Sequence, residues 1–217
     1  MPVRVGLRYI DIWNSSLEKA VLAYEQESVE KGQIVFYGPS NFTRWSAKYN
    51  HIPLREAIVG ASGKPCVINR GFGSSCSEHQ LYYYPRMVRP LEPKVLVYSP
   101  FGNYGSFGYS LEECWELGQR VVAYALTDFP GIHVYLCGPQ HHVKLTEEKR
   151  AERVRAGEML REFAQNTPNC HFVDVLSYKP LHAAELFVED GVHFNQEGYN
   201  LYADMFREVL REELANY

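Results

Sequence analysis

Five short apolar runs most constrain how this chain can fold: QIVFYG (33–38), PCVINR (65–70), KVLVYS (94–99), IHVYLC (132–137) and HFVDV (171–175). Each is five or six residues long and rich in Val or Ile, the pattern of strands buried on both faces. Helical patterns lie between them. Leu111, Cys114, Trp115, Gly118, Val121, Val122, Ala125 and Leu126 keep an i, i+3, i+4 rhythm. Ser110 and Glu113 predict a capping box at its start, each satisfying a backbone N–H that the first turn leaves free. Residues 145–165 carry Ala151, Val154, Leu160, Phe163 and Ala164 on one side and charges on the other. A last helix is expected after Asn195, with Tyr199, Tyr202, Met205, Phe206, Val209 and Leu210 on one face, and an early one over residues 16–31. Alternating strand and helix predicts a parallel sheet covered by helices on both faces.

At 217 residues, with no linker, repeat or low-complexity stretch, the chain reads as a single domain over residues 1–217. The segment at about 1–31 reads as an N-terminal helical extension. The net charge is −4 and the basic residues form no stripe, which argues against nucleic acid as a partner. No apolar run is long enough to span a bilayer, so no stable membrane insertion is expected. The start, MPVRVGLRYIDIW, lacks the pattern of a signal peptide, and a cytoplasmic location is the expectation. The five cysteines, Cys66, Cys76, Cys114, Cys137 and Cys170, are widely spaced with no C-x-x-C, which predicts reduced, mostly buried thiols and no metal site.

Parallel sheets of this kind bind ligands at the carboxyl ends of their strands. Ser40 falls at the first such end, Gly71 to Ser75 at the second and Ser99 to Gly105 at the third. A serine hydroxyl needs a base to remove its proton, and a histidine base needs an acceptor to orient it. DGVHFN (190–195) supplies Asp190 and His193 three apart, with Gly191 between them for a tight turn, just before the last helix. Singly, such residues are more often turn or capping residues; their convergence on one rim tips the reading toward function. Donors for an oxyanion are offered by the Ser40 N–H, the backbone of NRGFGSS (69–75) and the Asn103 side chain.

GFGSSC (71–76) lacks the third glycine of a dinucleotide fingerprint, Gly63-Lys64 has no phosphate-loop spacing, and G-x-S-x-G is absent. No cofactor is expected. Arg44 and Trp45 read as the packing start of a helix after the first strand, and Tyr82-Tyr83-Tyr84 as a helix on the sheet with one ring outward.

At these blocks the chain resembles the SGNH (GDSL-type) hydrolase superfamily. GPS at 38–40 is similar to the first block, NRGFGSS at 69–75 to the second, FGN at 101–103 to the third and DGVH at 190–193 to the last. The likeness spans about residues 30–212. It implies a three-layer α/β/α, flavodoxin-like five-stranded fold, with Ser40 as nucleophile, His193 as base and Asp190 as its partner. Ser40, Gly73, Ser74 and Asn103 would supply the oxyanion hole. His141, His142 and Tyr104 are candidate substrate contacts. The chain departs from the blocks at Pro39, where the family has Asp; at Ser74, where it has Gly; and around Asn103, which Phe101-Gly102 precede and Tyr104 follows. The resemblance implies a serine esterase acting on a small-molecule ester, with a short acyl group on a polar alcohol such as a carbohydrate. The departures motivate one alternative, a catalytically weakened binding module; an acyltransferase or lysophospholipase-like enzyme is another.

Overall fold

The computed structural model describes residues 10–217, with side chains from Ser16 onward; the first nine residues of the expected N-terminal extension lie outside that range. The apolar runs form five strands, β1 (Ile34–Gly38), β2 (Val67–Gly71), β3 (Val95–Tyr98), β4 (His133–Cys137) and β5 (Cys170–Val173). They make one sheet in the order β2-β1-β3-β4-β5, every pair parallel. The fold is the expected three-layer, flavodoxin-like one.

The strands send alternate residues to opposite layers, as a period of two requires. Ile34, Phe36, Val95, Val97, Tyr135 and Cys137 enter one core. Val35, Tyr37, Leu96, Tyr98, Val134 and Leu136 enter the other. The first core is closed by α2 (Ser40–Thr43), α3 (Leu54–Ala57), α7 (Gln196–Val209) and α8 (Arg211–Leu214). The second is closed by α1 (Ile10–Glu25), α4 (Ser77–Met87), α5 (Leu111–Asp128) and α6 (Glu147–Asn166). The Ser110–Glu113 capping box forms, with Glu113 N donating to Ser110 Oγ at 3.1 Å and Ser110 N to Glu113 Oε2 at 3.0 Å. All five cysteines are free and buried. Tyr83 and Tyr84 are buried, while Tyr82 faces outward. Among the described residues no helix is long and apolar enough to cross a membrane.

Four expectations need correction. The early helix spans Ile10–Glu25 rather than 16–31. In its last turn Tyr24 donates to the Gly71 carbonyl at 2.7 Å, and just beyond it Glu27 pairs with buried Arg70 at 2.7 Å, so the chain is tied to the β2 edge instead of continuing to coil. No long helix follows β1: α2 has four residues, because the Asn69 amide takes the Phe42 and Trp45 carbonyls at 2.8 and 3.2 Å. Trp45 instead lies flat against Tyr199 and Tyr202 of α7. On α6, Ala151 and Val154 are exposed, and the inward face runs through Arg153, Ala156 and Leu160. Finally, β5 stops at Val173, since Asp174 accepts from Ser177 N at 3.2 Å and opens a tight helical turn.

Candidate active site

Ser40 occupies the first position of α2, directly after β1 and Pro39. Gly38 is needed there, because a Cβ would lie 2.9 Å from the Ser99 Cβ and 3.0 Å from the Phe42 ring. Pro39 lies where a Cβ on Gly102 would be 2.4 Å away, so the proline and the glycine of the third block are mutually fitted. Asp190, Gly191 and His193 form a tight turn before α7. Gly191 adopts φ +66°, Gly191 N donates to the Val188 carbonyl, and Val188 N to the His193 carbonyl, each at 2.9 Å.

That turn meets Ser40. His193 Nε2 lies 2.8 Å from Ser40 Oγ, and His193 Nδ1 lies 2.8 Å from Asp190 Oδ2. With Nδ1 protonated toward the carboxylate, Nε2 is left to accept the Ser40 hydroxyl proton. Asp190 Oδ1 accepts the backbone N–H groups of Val192 and His193, each at 2.9 Å. Burial raises the Asp190 pKa, but these hydrogen bonds and the imidazole outweigh it and hold the carboxyl at about 2. Burial lowers the His193 pKa below its ordinary value; Asp190 opposes this and Arg44 adds to it. Arg44 reaches Asp190 Oδ2 at 3.2 Å. The sequence marks Arg44 only as a packing residue, since nothing local brings residue 44 beside residue 190.

Nearby backbone donors are uncommitted. Among the described residues the N–H groups of Ser40, Gly73 and Ser74 donate to no other group. Phe72 N donates to the Gly38 carbonyl at 2.7 Å and Ser75 N to Phe72 at 3.1 Å, which bends Gly73 and Ser74 into a turn beside α2. Ser74 takes φ +62° despite its side chain, and Asn103 takes φ +56°. Such a backbone costs a non-glycine residue about 1–2 kcal/mol, with Asn the better tolerated. The Asn103 amide donates to the Ser75 carbonyl at 2.9 Å, which uses one of its two N–H groups and links the second and third blocks. Asn69 holds α2 from below, as described, and accepts the Gly71 N–H at 2.7 Å. It belongs to the NRGFGSS block, yet its type alone does not reveal this role.

The remaining sequence candidates line the β4 side of the rim. His142 lies 2.9 Å from an Arg153 amino group through Nδ1. Burial first and Arg153 second push its pKa down to about 3, so it is neutral. His141 stacks on His182 with ring centres 4.6 Å apart. Tyr104 opens a helical turn at residues 104–107; burial first, and the Glu152 carboxylate second, push its phenol pKa up. Among the described residues no three metal-ligating side chains come together. A groove of about 890 Å³ follows the free edge of β2; it reaches the site at Thr43, Asn69, Gly71 and Gly73 and does not include Ser40 or His193.

The fold is the three-layer, five-stranded one expected from the sequence, and its rim brings Ser40, His193 and Asp190 together. Comparison with solved structures gives the same answer at the level of fold. A Streptococcus pneumoniae protein described provisionally as a platelet activating factor superposes with a TM-score of 0.74 at 17% identity, over 94% of this chain and 95% of that one. An acylhydrolase from Bacteroides fragilis, also so described provisionally, gives 0.69 at 18%, over 92% and 98%. An acetyl xylan esterase gives 0.68 at 19%, over 82% and 99%. No protein-family profile matches the sequence, and no curated protein matches it.

One consequence is a pH dependence. Were His193 to act as a general base, which works only when neutral, kcat/KM would rise through its pKa and level off. Because burial depresses that pKa, the acid limb is expected below the ordinary histidine value of 6.5. Arg44→Gln removes one depressing charge and should move the limb to higher pH. A pH–rate profile that stays fixed, or moves lower, would contradict the role given to Arg44.

Proposed function

We propose that the protein is a serine esterase that works through an acyl-serine intermediate. The reading is carried by one observation, the pair of 2.8 Å contacts linking Ser40 Oγ, His193 and Asp190. Ser40 Oγ attacks the ester carbonyl while His193 Nε2 takes the hydroxyl proton. The tetrahedral oxyanion is received by the N–H groups of Ser40, Gly73 and Ser74 and by the free N–H of the Asn103 amide. The intermediate collapses by breaking the bond to the alkoxy oxygen, which receives the proton from His193. Water, deprotonated by His193, then releases the acid and restores Ser40. Asp190 stays ionised throughout and stabilises the imidazolium.

The substrate is proposed to carry a short acyl group on a polar alcohol, carbohydrates being one such class. The likeness in fold to an acetyl xylan esterase is in keeping with this. A fluorophosphonate should modify Ser40, detected as a mass shift on its peptide, and an acetyl nitrophenyl ester should be cleaved with higher kcat/KM than the decanoyl ester. Well-folded protein inert to the probe would favour a non-catalytic binding module, and preference for the long chain would overturn the short-acyl assignment.

A further inference from the structure

Three cations stand around the loop after β4: Arg150 and Arg153 on α6, and Lys179 in the helical turn after β5. Arg153 occupies the inward face of α6 yet forms no ion pair among the described residues; its amino groups reach the Gln140 carbonyl at 2.8 Å and His142 at 2.9 Å. Arg150 and Lys179 likewise have no carboxylate partner among the described residues, and their charges, with those of Arg153 and His182, bear on His141. Two carboxylates at this rim are already engaged. Glu152 takes Lys149 at 2.7 Å, and Asp190 takes His193 and Arg44. The whole chain carries −4, so this concentration of cations is local.

The loop that Arg153 holds is in turn bonded to the proposed catalytic turn. Gln140 Nε2 donates to the Val192 carbonyl at 2.6 Å and Val143 N to the Gly191 carbonyl at 2.9 Å. A partly buried guanidinium without an anion is costly unless a ligand supplies one. Arginine's planar fork suits carboxylate and phosphate oxygens in particular.

We propose that Arg153, Arg150 and Lys179, with the His141–His182 stack, form a subsite for an anionic oxygen group, carboxylate or phosphate, on the substrate ester. The inference rests on the esterase reading and narrows its substrate: the scissile ester sits at Ser40 while the anion is held against the β4–α6 loop.

Three aryl acetates of similar shape test it: methyl 4-acetoxybenzoate (neutral), 4-acetoxybenzoate (carboxylate) and 4-acetoxyphenyl phosphate (phosphate). At low salt, at least one anionic ester is expected to exceed the neutral one in kcat/KM by about tenfold, and the two anionic arms show which group the subsite takes. The ratio should fall toward one in Arg153→Gln and in Lys179→Gln; the second change is on the surface and leaves the fold intact. Cleavage of all three without preference, or a ratio untouched by both variants, would overturn the subsite and leave the esterase standing. If none is cleaved, calorimetry with 4-hydroxyphenyl phosphate reads the subsite directly: binding lost in the two variants supports it and overturns the esterase reading alone, while absence of binding overturns the subsite too.

Discussion

Ser40→Ala is expected to lower kcat for ester cleavage by about 10⁵-fold or more, the scale seen when a nucleophile that works as a unit with its base is removed. Only the hydroxyl is lost. His193 keeps its contact with Asp190 and its backbone bonds, and α2 keeps its hold on Asn69. One half-buried hydrogen bond disappears, so stability should change by no more than about 1 kcal/mol. Steady-state kinetics with an acetyl ester and a thermal melt check the two halves together. Turnover within tenfold of the parent in a protein that melts at the parent temperature would remove Ser40 as nucleophile.

The second large effect lies beneath the nucleophile. Gly71→Ala would place a Cβ 2.1 Å from the Thr43 nitrogen and 2.4 Å from the Phe42 carbonyl carbon. Both are backbone atoms, fixed by the Asn69 amide, and cannot swing aside as a side chain would. Overpacking of this severity is expected to cost about 3 kcal/mol or more, a fall in Tm of roughly 6 °C or more for a chain of this size. Activity should fall with it, since α2 carries Ser40. Gly73→Ala is the control: its Cβ would meet the nearest atom, Thr43 Oγ1, at an ordinary 3.5 Å. A melt in which both variants match the parent would show that β2 does not clamp α2 as described.

The two glycines show why the sequence is read unevenly. Both sit in NRGFGSS, and both suggest a backbone that must bend. Only the packing of β2 against α2 makes Gly71 a steric necessity and Gly73 a tolerant site. Arg153 teaches the same lesson. A charge at that position reads as the solvent side of α6, with the apolar side running through Ala151 and Val154. The helix instead turns Arg153 inward with Ala156 and Leu160, because the loop after β4 presents a carbonyl and a neutral imidazole to receive it.

By itself the sequence determined what short-range physics controls: five buried strands from five apolar runs, the capped α5, the aromatic face of α7, and a Ser, an Asn and an Asp-x-x-His placed at strand ends or before a helix. Tertiary structure alone decided what depends on distant segments meeting. The length of α2, the pairing of Arg44 with Asp190, the support from Asn69 and the left-handed turn at Ser74 all belong to this second group. Each is settled by contacts between residues far apart in the chain, and no local pattern of apolar and polar residues encodes which distant partner will arrive.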